Sequence, residues 1–342
     1  MGFVRTVTGD RPAADFARVA VHEHVLFDIT PPALRGAAAP EITPETRWQT
    51  DYRSNENPAN AAQTDVAVAT AELALFAADG GDLIVDQSVA GLARDAAGLA
   101  AASAASGCAV VAAAGTYTAA YLDAATRAQS VEALAERFAA EVTEGLDGGP
   151  ARAGLIGEIG CSWPLEPVER RALQAAARAQ AATGAGISVH PGRDPAAPFE
   201  IVATLEAAGA DLSRVAICHM DRTYPEGGRE AELARTGVMI EWDFFGVESS
   251  HYWMDPDVAL PSDRARIRRI AALFDAGLGD RVLVSHDICT RTRMRRWGGH
   301  GYGRLFRNVE ALMARMGLAP EAIRALVRDN PLKLLSMERA VA

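Results

Sequence analysis

The feature that most constrains this chain is an alternation. Eight short β-branched or apolar runs, each ending in polar residues, are separated by longer stretches of helical periodicity. The runs cover 19–24, 82–88, 109–117, 153–160, 186–191, 215–220, 237–246 and 281–288. Between them the spacing of apolar residues predicts helices such as 65–78, 131–144 and 167–183, the last two closed by Gly145 and Gly184 as helix C-caps. Strand and helix in strict alternation mean an α/β fold with parallel strands, and eight units within 342 residues is the count of a closed (β/α)8 TIM barrel. An open doubly wound sheet uses the same alternation, but no GxGxxG follows the first run, so a dinucleotide site is disfavoured. No linker divides the chain, and residues 1–342 are expected to form one domain. Two segments fit neither period, 30–60 and 288–303; both follow strands, which puts both at the catalytic mouth of a barrel.

Composition narrows the setting. With 44 acidic and 34 basic residues the formal charge is −10, which opposes a polyanion partner such as nucleic acid. The longest apolar runs, such as 109–114, fall well short of the roughly 20 residues that cross a bilayer, and no charged-then-apolar leader precedes Val4. A cytoplasmic protein without membrane contact is expected. Its partner would be a small-molecule substrate, with homodimer formation left open. Cys108, Cys161, Cys218 and Cys289 are widely spaced with no CxxC pair and read as reduced, mostly buried thiols.

In a barrel the reactive groups come from the C-terminal ends of strands. Here the first run ends in His22-Glu23-His24, the fourth carries Glu158, the fifth and sixth end near His190 and His219, and the eighth ends in His286-Asp287. Residues two apart on a strand point the same way, so His22 and His24 can both face the axis. A lone strand-end histidine is more often a satisfied polar residue than a ligand. His22, His24, His190 and His219, four of the seven histidines, stand at such ends together with two carboxylates and favour a metal site. Imidazole and carboxylate suit Zn²⁺ and related ions, and His22, His24, Glu158, His190, His219 and Asp287 are too many for one tetrahedral ion. Two divalent ions, zinc foremost, sharing a bridging carboxylate would use all six. The chemistry expected of them is hydrolysis by a hydroxide bridging the ions, with Asp287 as the catalytic proton carrier. Serine catalysis is disfavoured because no GxSxG occurs.

These residues, in this order, resemble the amidohydrolase superfamily and within it the phosphotriesterase family, especially its phosphotriesterase-related branch. The stretches Val21-His22-Glu23-His24, Gly157-Glu158-Ile159-Gly160, Cys218-His219-Met220-Asp221-Arg222-Thr223 and His286-Asp287 through Gly298-Gly299-His300-Gly301-Tyr302 carry the resemblance, which runs from Thr6 to Pro331. It implies a distorted barrel in which His22, His24 and Asp287 hold a buried ion, His190 and His219 an exposed one, and Glu158 bridges them. Many relatives use a carboxylated lysine as the bridge. This chain has Glu there, and its single lysine, Lys333, lies well after the eighth run. The substrate class implied is a lactone, carboxylic ester, amide or phosphotriester. A TatD-like metal-dependent nuclease is similar in its own HxH and GEIG-type glutamate, and a non-catalytic small-molecule-binding barrel is a further alternative; the acidic balance argues against the first and the intact ligand set against the second. Arg222, Tyr117, Trp163 and Arg293 are candidates for substrate binding. Arg222 and Asp221 could equally buttress His219, and one of Glu241 and Asp243 is expected to face the pocket. The cluster Arg291, Arg293, Arg295 and Arg296, with Arg222, suggests a substrate bearing an anionic group away from the scissile bond.

Overall fold

The computed structural model describes residues 2–54 and 56–338. Its centre is an eight-stranded parallel sheet: β1 (Val19–Glu23), β2 (Leu83–Asp86), β3 (Ala109–Ala114), β4 (Ala153–Gly160), β5 (Gly186–His190), β6 (Val215–Ile217), β7 (Met239–Trp242) and β8 (Val282–Val284), hydrogen-bonded in chain order. A helix follows each strand: α1 (Val66–Ala78), α2 (Ala96–Ser106), α3 (Val131–Thr143), α4 (Pro167–Thr183), α5 (Ala197–Ala207), α6 (Glu230–Arg235), α7 (Asp263–Asp275) and α8 (Glu310–Arg315). The sheet closes at the mouth, where Asp287 N donates to His22 O and His24 N donates to Ile288 O. This is the expected (β/α)8 barrel. Among the described residues no helix is long and apolar enough to cross a membrane.

The helices start and stop where their ends can be satisfied. The Asp65 carboxylate accepts from the Ala67 and Val68 amides at the start of α1, and α4 stops at Gly184, whose φ of 72° is open to glycine at little cost. Two apolar layers follow from strand alternation. Val19, Val21, Leu83, Val85, Val111, Leu155, Met239 and Leu283 fill the barrel, and Val4, Phe16, Leu332 and Leu335 plug its N-terminal end. Ala20, Ile84, Val110, Ile156, Ile187 and Val282 face outward against Leu73, Phe76, Phe138 and Leu173 of the helices.

Two departures from alternation build the mouth. Val19 and Val21 point inward, so strict alternation would send His22 and His24 outward; the pairing of β1 with β2 shifts between Ala20 and Glu23 and reverses the parity. The same occurs on β4, where the pairing with β5 shifts between Ile156 and Ile159 around Gly157, whose φ is +115°. A side chain at Gly157 would overlap the Ser188 carbonyl. The two irregular segments lie over the mouth and hold each other. Arg47 donates to Trp297 O and Thr292 O, both at 2.8 Å, and Asn60 Oδ1 accepts from Thr292 N. The first segment holds two short helices that apolar periodicity does not mark, Arg47–Tyr52 and Pro58–Ala61. β7 and β8 are shorter than their apolar runs, and the side chains just beyond them serve the mouth: Asp243 accepts from His219 N and Ser285 Oγ donates to Glu23.

Candidate metal centre

The six strand-end groups converge on one point. Glu158 Oε2 lies 3.1 Å from His190 Nδ1, 3.4 Å from His219 Nε2 and 3.6 Å from His22 Nε2, while Oε1 lies 3.6 Å from His24 Nε2. Asp287 Oδ1 stands 3.4 Å from His24 Nε2 and 3.9 Å from His22 Nε2. Donor atoms at about 2.0–2.2 Å from a shared cation sit roughly 3.3 Å from one another, which is the spacing seen. Of four groups of potential ligand atoms among the described residues, two face each other across Glu158, His22 with His24 and His190 with His219, and Glu158 belongs to both. The other two join His22 to Cys218, Glu241 and Asp243, and His219 to Asp243 and Asp287. The test of fit is His22 Nε2, a buried ring nitrogen with no hydrogen-bond partner, aimed at Glu158 and Asp287. A buried imidazole left this way costs energy unless a cation completes it. The residues fit divalent ions.

The charge state suits that role at Glu158, Asp287, His190 and His219. At His22 and His24 burial is outweighed by neighbouring acidic groups, Cys218 and Glu241 beside His22 and Asp287 and Glu158 beside His24, which raise both imidazoles until a cation replaces the proton. Burial alone would raise the Glu158 carboxyl, yet the imidazoles of His190, His219 and His22 hold it well below the usual carboxylate range. Burial likewise opposes ionisation of Asp287, but the hydrogen bond from His24 and the neighbouring imidazoles bring it down to about 2. Burial, with Arg222 and His190 nearby, pushes His219 well below its ordinary value, and burial also lowers His190. Both carboxylates are therefore anions and both of these imidazoles neutral, the forms in which they bind metal.

Behind the ligands stands a layer that fixes their rings. His22 Nδ1 lies 3.3 Å from Glu241 Oε2, His24 Nδ1 3.0 Å from Ser88 Oγ, and His219 Nδ1 2.9 Å from Asp243 Oδ1. Glu241 and Asp243 thus each back a different ligand rather than one of them facing the pocket. Such partners set tautomer and orientation. Ser88 carried no signal in the sequence, whereas the acidic pair two apart on β7 did. His219 and Asp287 both have φ in the left-handed region, 61° and 48°, a local strain that commonly marks functional positions.

The mouth opens into a cavity of about 180 Å³. His190, His219 and Asp287 form its floor, with Tyr117, Arg222 and Phe244 in its wall. Tyr117 stacks edge-on to His190 at 5.1 Å, with its hydroxyl 3.5 Å from Nδ1. Two substrate candidates stand elsewhere. Trp163, 38% exposed, lines a neighbouring cavity that also meets His190. Arg293 is buried under Phe244 and Trp253 and donates to Asp287 O at 3.0 Å, so it holds the ligand's backbone. The rest of its cluster turns away too: Arg295 pairs with Asp79, and Arg291 and Arg296 lie over Trp297. Asp221 supports β7 and the loop after it, accepting from Asp243 N and Phe244 N and pairing with Arg266. His251 stacks on Tyr52 at 3.9 Å, outside the ligand cluster. The four cysteines are free, three of them buried.

Barrel, ligand set and cavity together define a hydrolase with a metal-ligand cluster at the barrel mouth. The chain belongs to the phosphotriesterase family, whose profile matches residues 2–335. It is 38% identical to N-acetyltaurine hydrolase of Rattus norvegicus over 98% of this chain and 99% of the relative. A phosphotriesterase-related protein of Nematostella vectensis is 35% identical over 96% of this chain and 97% of its own length. Among solved structures, a resiniferatoxin-binding protein from Rhodobacter sphaeroides superposes with a TM-score of 0.91 at 34% identity, covering 98% of this chain and 95% of that one.

Proposed function

We propose that this hydrolase holds two divalent ions, zinc on the chemistry of its ligands, and cleaves the acyl–nitrogen bond of a small amide. The observation that carries the reading is the sharing of Glu158 between the two histidine pairs. His22, His24 and Asp287 would hold one ion and His190 and His219 the other, with Glu158 common to both. Ions bound there supply a water nucleophilic at neutral pH and an electrophile for the oxygen of the scissile bond.

The chain's own groups do the rest. Asp287, ionised and on the cavity floor, accepts the proton of the attacking water and returns it to the departing amine, which must leave protonated. Tyr117 and Phe244 close the sides of the cavity and limit water around the reacting carbonyl. At about 180 Å³ the cavity is smaller than the roughly 300–1,000 Å³ of pockets for drug-sized ligands, which favours a compact substrate. Likeness to hydrolases of an acylated amine, across nearly the whole chain, supports the amide over the lactone, carboxylic ester and phosphotriester alternatives. The test is a panel of N-acetyl amides, γ-lactones, carboxylic esters and dialkyl aryl phosphates on zinc- or manganese-loaded protein. The amides should lead in kcat/KM by about tenfold or more, some 1.4 kcal/mol of transition-state discrimination. A lactone or phosphotriester in first place overturns the amide assignment.

A further inference from the structure

Arg222, three residues beyond the His219 ligand, is only 3% exposed. Its Nη2 donates to Pro191 O at 2.8 Å and lies 3.2 Å from His190 Nε2, so the guanidinium is fixed beside the cavity floor. Its Nη1 is buried and has no hydrogen-bond partner. Of the other buried guanidiniums, Arg266 is neutralised by Asp221 and Asp263 and Arg94 by Glu141 and Asp147, while Arg293 lies outside this cavity over two aromatic rings and donates to Asp287 O. Arg222 pairs with no carboxylate among the described residues, yet it forms part of the cavity wall. A buried charge with an unused donor is costly unless a ligand completes it.

The rest of the wall shows where such a ligand would sit. Arg193, at the rim, is a second cation, placed by donating from Nε to Tyr252 Oη at 3.1 Å. Asp287 is the one acid on that wall, and it belongs to the ligand set. Tyr121, Phe244 and Trp253 supply apolar surface between. The cavity therefore has a ligand cluster at one end and, beside it, a guanidinium whose Nη1 is unused.

We propose that Arg222, assisted by Arg193, is the specificity-determining residue of this site and takes an oxyanion, sulfonate or carboxylate, that the substrate carries away from its scissile bond. The proposal rests on the amide-hydrolase reading and adds to it the charge of the substrate and the residue that reads it. Guanidinium matches both anions through paired N–H donors, and burial strengthens the contact. A neutral substrate would leave Nη1 unsatisfied and bind less well.

The experiment compares N-acetyl-2-aminoethanesulfonate, N-acetyl-β-alanine and the neutral N-acetyl-2-(methylsulfonyl)ethylamine on metal-loaded wild type, Arg222→Gln and Arg222→Lys. In the wild type the better anion should exceed the neutral analogue by about 100-fold in kcat/KM, and which anion leads identifies sulfonate or carboxylate. Arg222→Gln should cut that ratio by about 30-fold, mostly through KM, and Arg222→Lys should restore part of it as a point charge without the fork. Equal losses on charged and neutral substrates would mean that Arg222 only braces His190, and would overturn the proposal, as would equal wild-type rates. Calorimetry with ethanesulfonate and propionate separates the two readings. Binding to the wild type that disappears in Arg222→Gln, with no amide turned over, removes the amide reading and keeps the subsite. Amide turnover with identical anion binding by wild type and Arg222→Gln removes the subsite and keeps the amide reading.

Discussion

In the proposed mechanism Asp287 has two tasks on one carboxylate, ligand and proton carrier, and a single substitution separates them. Asp287→Asn keeps an oxygen toward His24 but cannot take a proton at neutral pH. Turnover should fall by about 100-fold or more while most of the metal remains, measured by steady-state kinetics beside elemental analysis. Near-normal turnover would mean that another group moves the proton. Glu158 and Lys333 give the matching contrast. Glu158→Ala removes the group common to both histidine pairs and should lose metal. Lys333, exposed and 3.0 Å from Asp280, should tolerate alanine with full metal content. A carboxylated and essential Lys333 would contradict the site as described. All six convergent side chains were legible in the sequence, because each stands at the end of an apolar run that alternation makes easy to find. Position alone did not show that Arg293 and Trp163 stand outside the cavity above Asp287. A loop residue's direction depends on what packs over it, and here Phe244 and Trp253 cover the guanidinium.

At the scale of elements, barrel closure depends on Glu23, which lies between the two ligand histidines of β1 and points away from them. Its Oε1 accepts from Ser285 Oγ at 2.9 Å and His286 N at 3.1 Å and lies 2.5 Å from His286 Nδ1, while Oε2 accepts from Ile288 N at 3.0 Å. One carboxylate thus ties β1 to the loop that carries Asp287. Glu23→Ala leaves several buried donors without acceptors and should cost about 3 kcal/mol or more of stability. Urea unfolding with an unchanged midpoint and slope would refute that role. The eight strands and the first and last turns of the major helices could be read from periodicity and caps, with α4 matching its expected span of 167–183. The shifts of parity on β1 and β4 could not. They depend on how neighbouring strands pair, which the spacing of apolar residues does not encode.

For the whole molecule, metal bound at the proposed site would be part of the folded state. The ligands come from β1, β4, β5 and the segments after β6 and β8, so ions held among them cross-link most of the barrel. A ligand that binds the native state alone raises its stability, so chelation should abolish activity and lower the melting temperature together. Unchanged melting after complete metal removal would contradict a cross-linking role. The central claim is that two ions share Glu158, and the most direct measurement is a titration of metal-free protein with zinc, following bound metal by elemental analysis and amide hydrolysis in the same samples. Saturation is expected at two ions per chain, with activity appearing only as the second site fills and a single-site limit in Glu158→Ala. Full activity at one ion per chain, or at none, would contradict it.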